Sequence, residues 1–170
     1  DRMYKATKEY LKDSDPKKLE KIKDYEQITD NIQKEVTVFL CKVMEKPMSS
    51  DQTRHTQGII KVVDEFESIA DYLYRIVSYK ARFQNNPESG ESLQEYEQFM
   101  EKIWEFFHVS VKGLFNPKVH DYQEIFKRSE ELRIWADDIR DRHLDRVSKG
   151  EYSALSALTY SDMVVALRKI

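Results

Sequence analysis

Glu26 and Asp30 stand four residues apart, and so do Glu67 and Asp71. On a helix that spacing puts one carboxylate a turn above the other, where like charges repel and cost about 0.2–0.5 kcal/mol a pair. Glu26 lies as far before the Met48-Ser49 dipeptide as Asp71 lies after it, and Asp30 and Glu67 match in the same way. An antiparallel hairpin turning at that dipeptide therefore brings the two pairs level, and Asp64, one turn before Glu67, extends the patch. On a helical wheel both pairs fall toward the flank of the apolar stripe and face solvent. Carboxylates clustered at a hydrated surface suit hard or borderline cations such as Mg, Ca, Mn or iron, because a cation offsets their repulsion. The plain alternative is at hand: Asp30 has Lys34 four residues on and Asp71 has Arg75, ordinary ion pairs on solvated faces.

The elements that must position these residues are long helices. Pro16, Pro47, Pro87 and Pro117 all fall between periodic segments and none inside one. After Asp15-Pro16, a capping residue followed by proline at a first helical position, Tyr25, Ile28, Ile32, Val36, Phe39 and Val43 recur at steps of three and four. Ile59, Val62, Phe66, Ile69, Leu73 and Ile76 repeat the pattern over a second helix from about Ser50 to Phe83. Beyond the loop at residues 85–90, Leu93, Tyr96, Phe99, Ile103 and Phe106 mark a third helix ending near Gly113. A fourth is expected from about His120 to Ser148, and Gly150 separates it from a last helix that begins near Tyr152.

Other chemistry finds little support. Four glycines supply no phosphate-cradling loop, and no His-Glu-x-x-His occurs. Glu105-x-x-His108 is a single copy of a motif that carboxylate-bridged di-iron bundles need twice, with two further glutamates. His55, His120 and His143 are isolated and read as surface or capping residues. Cys41, the one cysteine, excludes an intramolecular disulfide and reads as a packing or surface residue in a reducing compartment. Trp104, Phe106, Phe107 and Phe115 at helical spacing read as packed core rather than a cofactor box. No enzyme is indicated.

Composition agrees with long helices: of 170 residues, 35 % are charged and 40 % hydrophobic, with only four Gly and four Pro, too few turn residues for a many-stranded protein. A net charge of −3 gives no electrostatic footprint for nucleic acid. Nothing approaches the roughly 18 consecutive apolar residues of a membrane span, and no apolar region follows Asp1 to Lys8 to make a secretory signal. The fragment reads as soluble, and its start at Asp1 without a methionine reads as a continuation of something longer.

The stretch Val63-Asp64-Glu65-Phe66-Glu67-Ser68-Ile69-Ala70-Asp71, with Glu26-Gln27-Ile28-Thr29-Asp30 on the preceding helix, resembles the PhoU family pattern of Glu-x-Ile-(Gly or Ala)-Asp on an aliphatic helix. Ile139-Arg140-Asp141-Arg142-His143-Leu144-Asp145-Arg146, then Lys149-Gly150, then Leu158-Thr159-Tyr160-Ser161-Asp162-Met163, is similar to the C-terminal part of PhoU-type domains fused to bacterial sodium/phosphate cotransporters. The resemblance implies an all-α fold, an antiparallel bundle of long helices built as a tandem three-helix repeat. Residues 1–15 are then an N-terminal lead-in or linker helix, 16–116 the first repeat, and 117–170 a second, truncated repeat.

It further implies an iron or other divalent metal cluster, carried over to Glu26, Asp30, Glu67 and Asp71 with Asp64 beside them. In the second repeat the equivalent positions are Ser129, Arg133 and Arg168, which argues against a carboxylate cluster there and suggests a structural repeat or one that attracts an anion. Glu130, Glu131, Asp137 and Asp138 sit at the wrong register and read as a solvated face. The function so implied is a regulatory domain that modulates phosphate uptake at the cytoplasmic face of the bacterial inner membrane. Its partner would be a membrane-embedded phosphate transporter in the same polypeptide or complex, and a homodimer is compatible with it. The competing readings are a free-standing PhoU-like adaptor of a phosphate ABC transporter and its sensor kinase, or a plain helical interaction module.

Overall fold

A computed structural model describes residues 1–82, 90–116 and 121–170. The loop expected at 85–90 lies outside the described residues except for Gly90, as do Phe83, Pro87, Pro117 and His120; so does the side chain of Phe115. Among the described residues the chain is all-helical, as its punctuation implies: α1 (Arg2–Asp13), α2 (Pro16–Met44), α3 (Ser50–Arg82), α4 (Gly90–Phe115), α5 (Tyr122–Ser148) and α6 (Ala154–Arg168).

Local sequence fixes the helix ends. Ser14 closes α1 in the left-handed region at φ 54°, its N–H donating to the Tyr10 carbonyl at 2.8 Å. The Asp15 carboxylate then accepts from the Lys17 N–H at 3.0 Å, and Pro16 opens α2 where its missing N–H costs nothing. Ser49 and Gln52 cap α3 reciprocally: the Ser49 hydroxyl accepts from the Gln52 N–H at 3.2 Å, while the Gln52 side chain accepts from the Ser49 N–H at 2.9 Å. Asp121 caps α5 and Ser153 caps α6 in the simpler way. Gly150, at φ 79°, turns the chain out of α5 where a side chain would be strained.

The chain divides into two compact units, Asp1–Val77 and Ser78–Ile170, the division falling in the last turns of α3. The grouping differs from the expected 16–116 and 117–170. Helix α1 is no lead-in or linker: it packs on α2 and buries Met3, Tyr4, Ala6, Thr7, Tyr10 and Leu11. In the second unit α5 packs against both α4 and α6, so α4 groups with the helices that follow it.

The core of the first unit joins those α1 side chains to Ile22 on α2 and to Ala70, Leu73, Ile76 and Val77 on α3. The periodic stripe of α2 is not buried along its length as its pattern suggests: Ile28, Ile32 and Phe39 are 52 %, 53 % and 64 % exposed. Length explains the difference. At 1.5 Å per residue α1 runs for about 18 Å, whereas α2 and α3 run for about 44 and 50 Å. Toward the Met48-Ser49 turn, beyond the reach of α1, only Thr56 of α2 and α3 is buried.

In the second unit Tyr96, Phe99, Met100 and Ile103 of α4 meet Ala136 and Ile139 of α5 and Tyr160, Met163, Val164 and Leu167 of α6. Phe99 sets its ring edge-on to Trp135, with centroids 5.6 Å apart. The aromatic cluster read as core is half-buried instead, with Trp104 stacked on Phe107 at 5.2 Å and edge-on to His108 at 4.5 Å.

Candidate functional site

The acidic residues of α2 and α3 face one another. The Gln33 amide donates to the Asp64 carboxylate at 2.7 Å across the hairpin, and these two residues are equally distant from the Met48-Ser49 turn. That bond fixes the antiparallel register in which Glu26 stands level with Asp71 and Asp30 with Glu67. Glu26, Asp30, Asp64, Glu67 and Asp71 are all half-buried, on the flank of the hairpin rather than in its core.

Their electrostatics reflect the crowding. The Glu26 carboxyl is held above its ordinary range, first by partial desolvation and then by repulsion from Asp30, Asp71 and Glu67, with Lys23 pulling the other way. Two cations answer the acids. Lys34 donates to Asp30 at 2.7 Å, and its own ammonium is strengthened by that hydrogen bond and by the charges of Asp30, Glu26 and Glu67. Arg75 pairs with Asp71 at 2.8 Å and lies over the Tyr72 ring, 5.4 Å from its centroid. Glu67 has the Ser68 hydroxyl at 3.5 Å.

The donors are of the right chemistry for a hard cation, all carboxylate oxygen. Their present arrangement is not a ready-made coordination set: Asp30 and Asp71 lean on Lys34 and Arg75, and among the described residues no group of three or more His, Cys, Asp or Glu side chains is gathered closely enough to hold a metal ion.

The equivalent face of the second unit follows the exchange of acids for arginines. Arg133 donates to Glu130 at 2.9 and 3.1 Å, and Arg168 of α6 donates to Asp137 of α5 at 2.9 Å. Asp137 also has Arg140 at 3.5 Å and Arg133 at 3.9 Å. Asp137, read from the sequence as a mere solvated face, is thus the residue on which three arginines converge. With Glu130 and Asp137 occupying them, the arginines form a structural ion-pair network.

A second site in this unit was illegible from spacing. His143 is fully buried, not a surface or capping residue: its Nδ1 shares a 2.9 Å hydrogen bond with the Ser92 hydroxyl, and its ring stacks on Tyr160 with centroids 4.1 Å apart. Arg146 donates to Ser92 at 3.0 Å and to both oxygens of Glu95 at 2.8 and 2.9 Å, tying α5 to α4. Burial, then the nearby Arg146 charge, pushes the His143 imidazolium down to about 4, with Glu95 opposing. Arg142-His143 and Arg146 belong to the sequence motif Ile139–Arg146, so that motif is a helix-pairing device. Cys41 and His55 are exposed.

Among the described residues the chain is a bundle of long helices, with an acidic face on the α2–α3 hairpin. Residues 1–79 match the family model described as PhoU domain. The matched span holds α1, α2, nearly all of α3 and every residue of the acidic face, and it supports a PhoU-like domain with a regulatory role in phosphate homeostasis. No curated protein and no solved structure matches the chain.

Proposed function

We propose that this chain is a regulatory domain of a sodium-dependent phosphate transporter, acting on a membrane-embedded partner at the cytoplasmic face to tune phosphate uptake. The observation that supports the reading is the coincidence of the PhoU match over residues 1–79 with a hairpin on which Glu26 feels the charges of Asp30, Asp71 and Glu67. The Ile139–Arg146 and Leu158–Met163 segments, similar to those of cotransporter-fused domains, favour a transporter over a free-standing adaptor. Among the described residues no helix is long and apolar enough to cross a membrane, so on this reading the spanning part lies elsewhere in the polypeptide or complex.

In this reading Glu26, Asp30, Glu67 and Asp71, with Asp64 alongside, are the input: a divalent cation or iron cluster, when bound, supplies positive charge that offsets their repulsion and stiffens the hairpin. Lys34 and Arg75 offset part of that repulsion otherwise. Deleting the segment from its gene should alter phosphate uptake or its response to external phosphate, measured with radiolabelled phosphate in intact cells. Unchanged uptake and regulation sinks the proposal. A gene that encodes no membrane spans, with a phenotype in the phosphate sensor kinase pathway, selects the adaptor instead. For the cation, elemental analysis of the purified protein beside a Glu67→Gln, Asp71→Asn variant is the direct measure, and equal content in both removes this face as its site.

A further inference from the structure

Away from the acidic face, the first unit has a groove of about 400 Å³ between α1 and α2, lined by Arg2, Lys5, Ala6, Glu9, Lys21 and Tyr25. Three of the six lining residues are cations and one is a carboxylate, in a chain whose net charge is −3. Several exposed cations elsewhere are paired along their own helices, as Lys34 is with Asp30, Arg54 with Asp51 and Arg128 with Glu124. Here Glu9, four residues after Lys5, turns instead to Lys18 at 3.6 Å on the neighbouring helix, and Lys18 also bonds Asp13. Among the described residues Arg2, Lys5 and Lys21 enter no ion pair; Lys21 lies over the Tyr25 ring, 5.8 Å from its centroid.

The placement follows from helix geometry. Arg2, Lys5 and Glu9 recur at steps of three and four on α1, and Lys21 and Tyr25 stand one turn apart on α2, so one face of each helix is turned to the same groove. Ala6, buried and without reach, lies among the longer side chains that line the groove. A concave site with two surplus positive charges, flexible ammonium donors and one guanidinium suits an anion carrying about two negative charges on several oxygens, which is the chemistry of a phosphate group.

We propose that the α1–α2 groove binds a phosphate group of two or more negative charges through Arg2, Lys5 and Lys21. The groove is separate from the carboxylate face and would hold whichever phosphate system the domain serves, so its test stands apart from the uptake assay. Two sources share the chemistry, a soluble phosphate compound and the headgroup of an acidic phospholipid. Calorimetric titration with inorganic pyrophosphate covers the first, and co-sedimentation with vesicles of phosphatidic acid in phosphatidylcholine, against phosphatidylcholine alone, covers the second. Binding in either arm should weaken at least about tenfold in a Lys5→Gln, Lys21→Gln variant and fall with added salt. A Lys42→Gln, Lys61→Gln variant, with the same charge change at exposed positions outside the groove, should bind like the parent. All four side chains are exposed, so the folded state, checked by circular dichroism, should be kept. Binding in neither arm, or equal loss in both variants, or no loss in the groove variant, overturns the assignment.

Discussion

Replacing Glu26 by Gln removes one charge from the acidic face while keeping the side chain's length and shape. Three carboxylates press on Glu26 in the native state, Asp30 on its own helix and Asp71 and Glu67 across the hairpin, and its partial burial adds to their effect. A surface like-charge contact costs about 0.2–0.5 kcal/mol. With Lys34 and Arg75 absorbing part of the repulsion, the three together should amount to about 0.5–1 kcal/mol. The variant is therefore expected to be more stable at pH 7 in the presence of a chelator, by about 1–4 °C in Tm for a chain of this length. The pH dependence has a definite sign. A carboxyl whose native pKa is raised above its ordinary 4.5 binds its proton more tightly in the folded state, so stability falls as pH rises through that window and the full penalty is present above it. At pH 4 and below, where the acid is already neutral, the advantage of Gln should vanish. Thermal unfolding followed by circular dichroism at pH 7 and pH 4, at low and high salt, measures all of this. A variant less stable than the parent at pH 7, or a gain unchanged at pH 4, refutes the claim that the acids repel.

Tyr10 is fully buried on α1, and Tyr10→Ala should cost about 3 kcal/mol by thermal or urea unfolding if α1 belongs to the core, but almost nothing if α1 were a linker. His143, buried and depressed to about 4, makes native stability fall as pH drops from 6.5 toward 4, with a slope of at most about 1.4 kcal/mol per pH unit. Urea titrations at pH 7 and 5 should show a clearly smaller pH dependence in His143→Gln. Ser92→Ala strips both His143 Nδ1 and Arg146 of a buried partner and should destabilise by about 1–3 kcal/mol in the same assay. Asp64→Ala removes the carboxylate that accepts from the Gln33 amide across the hairpin and should cost about 0.5–1.5 kcal/mol, with the loss read from thermal unfolding.

Much of this was legible before any coordinates. Proline and glycine punctuation located the helices, and equal spacing about Met48-Ser49 gave the register that the Gln33–Asp64 bond displays. Periodicity names the apolar face of a helix but not the neighbour that covers it. For that reason Ile28, Ile32 and Phe39 read as core although α1 is too short to reach them, and α1 itself read as a lead-in. Polarity misled at His143, whose ring is stacked on an aromatic side chain 17 residues along the chain. Asp137 was passed over because its role depends on Arg168 arriving from another helix, a meeting that no local spacing records.

The short reach of α1 also sets a gradient of local stability along the hairpin. Near α1 the buried anchors Ile22, Leu73, Ile76 and Val77 hold α2 and α3, whereas toward the turn only Thr56 is buried. Backbone amides should therefore exchange with deuterium fastest beside Met48-Ser49 and slowest around Ile22 and Ile76. Glu26, Asp30, Glu67 and Asp71 straddle the place where third-helix cover ends. Charge neutralised there acts like a clip partway up a zipper, fixing how far the helices part without adding to the core.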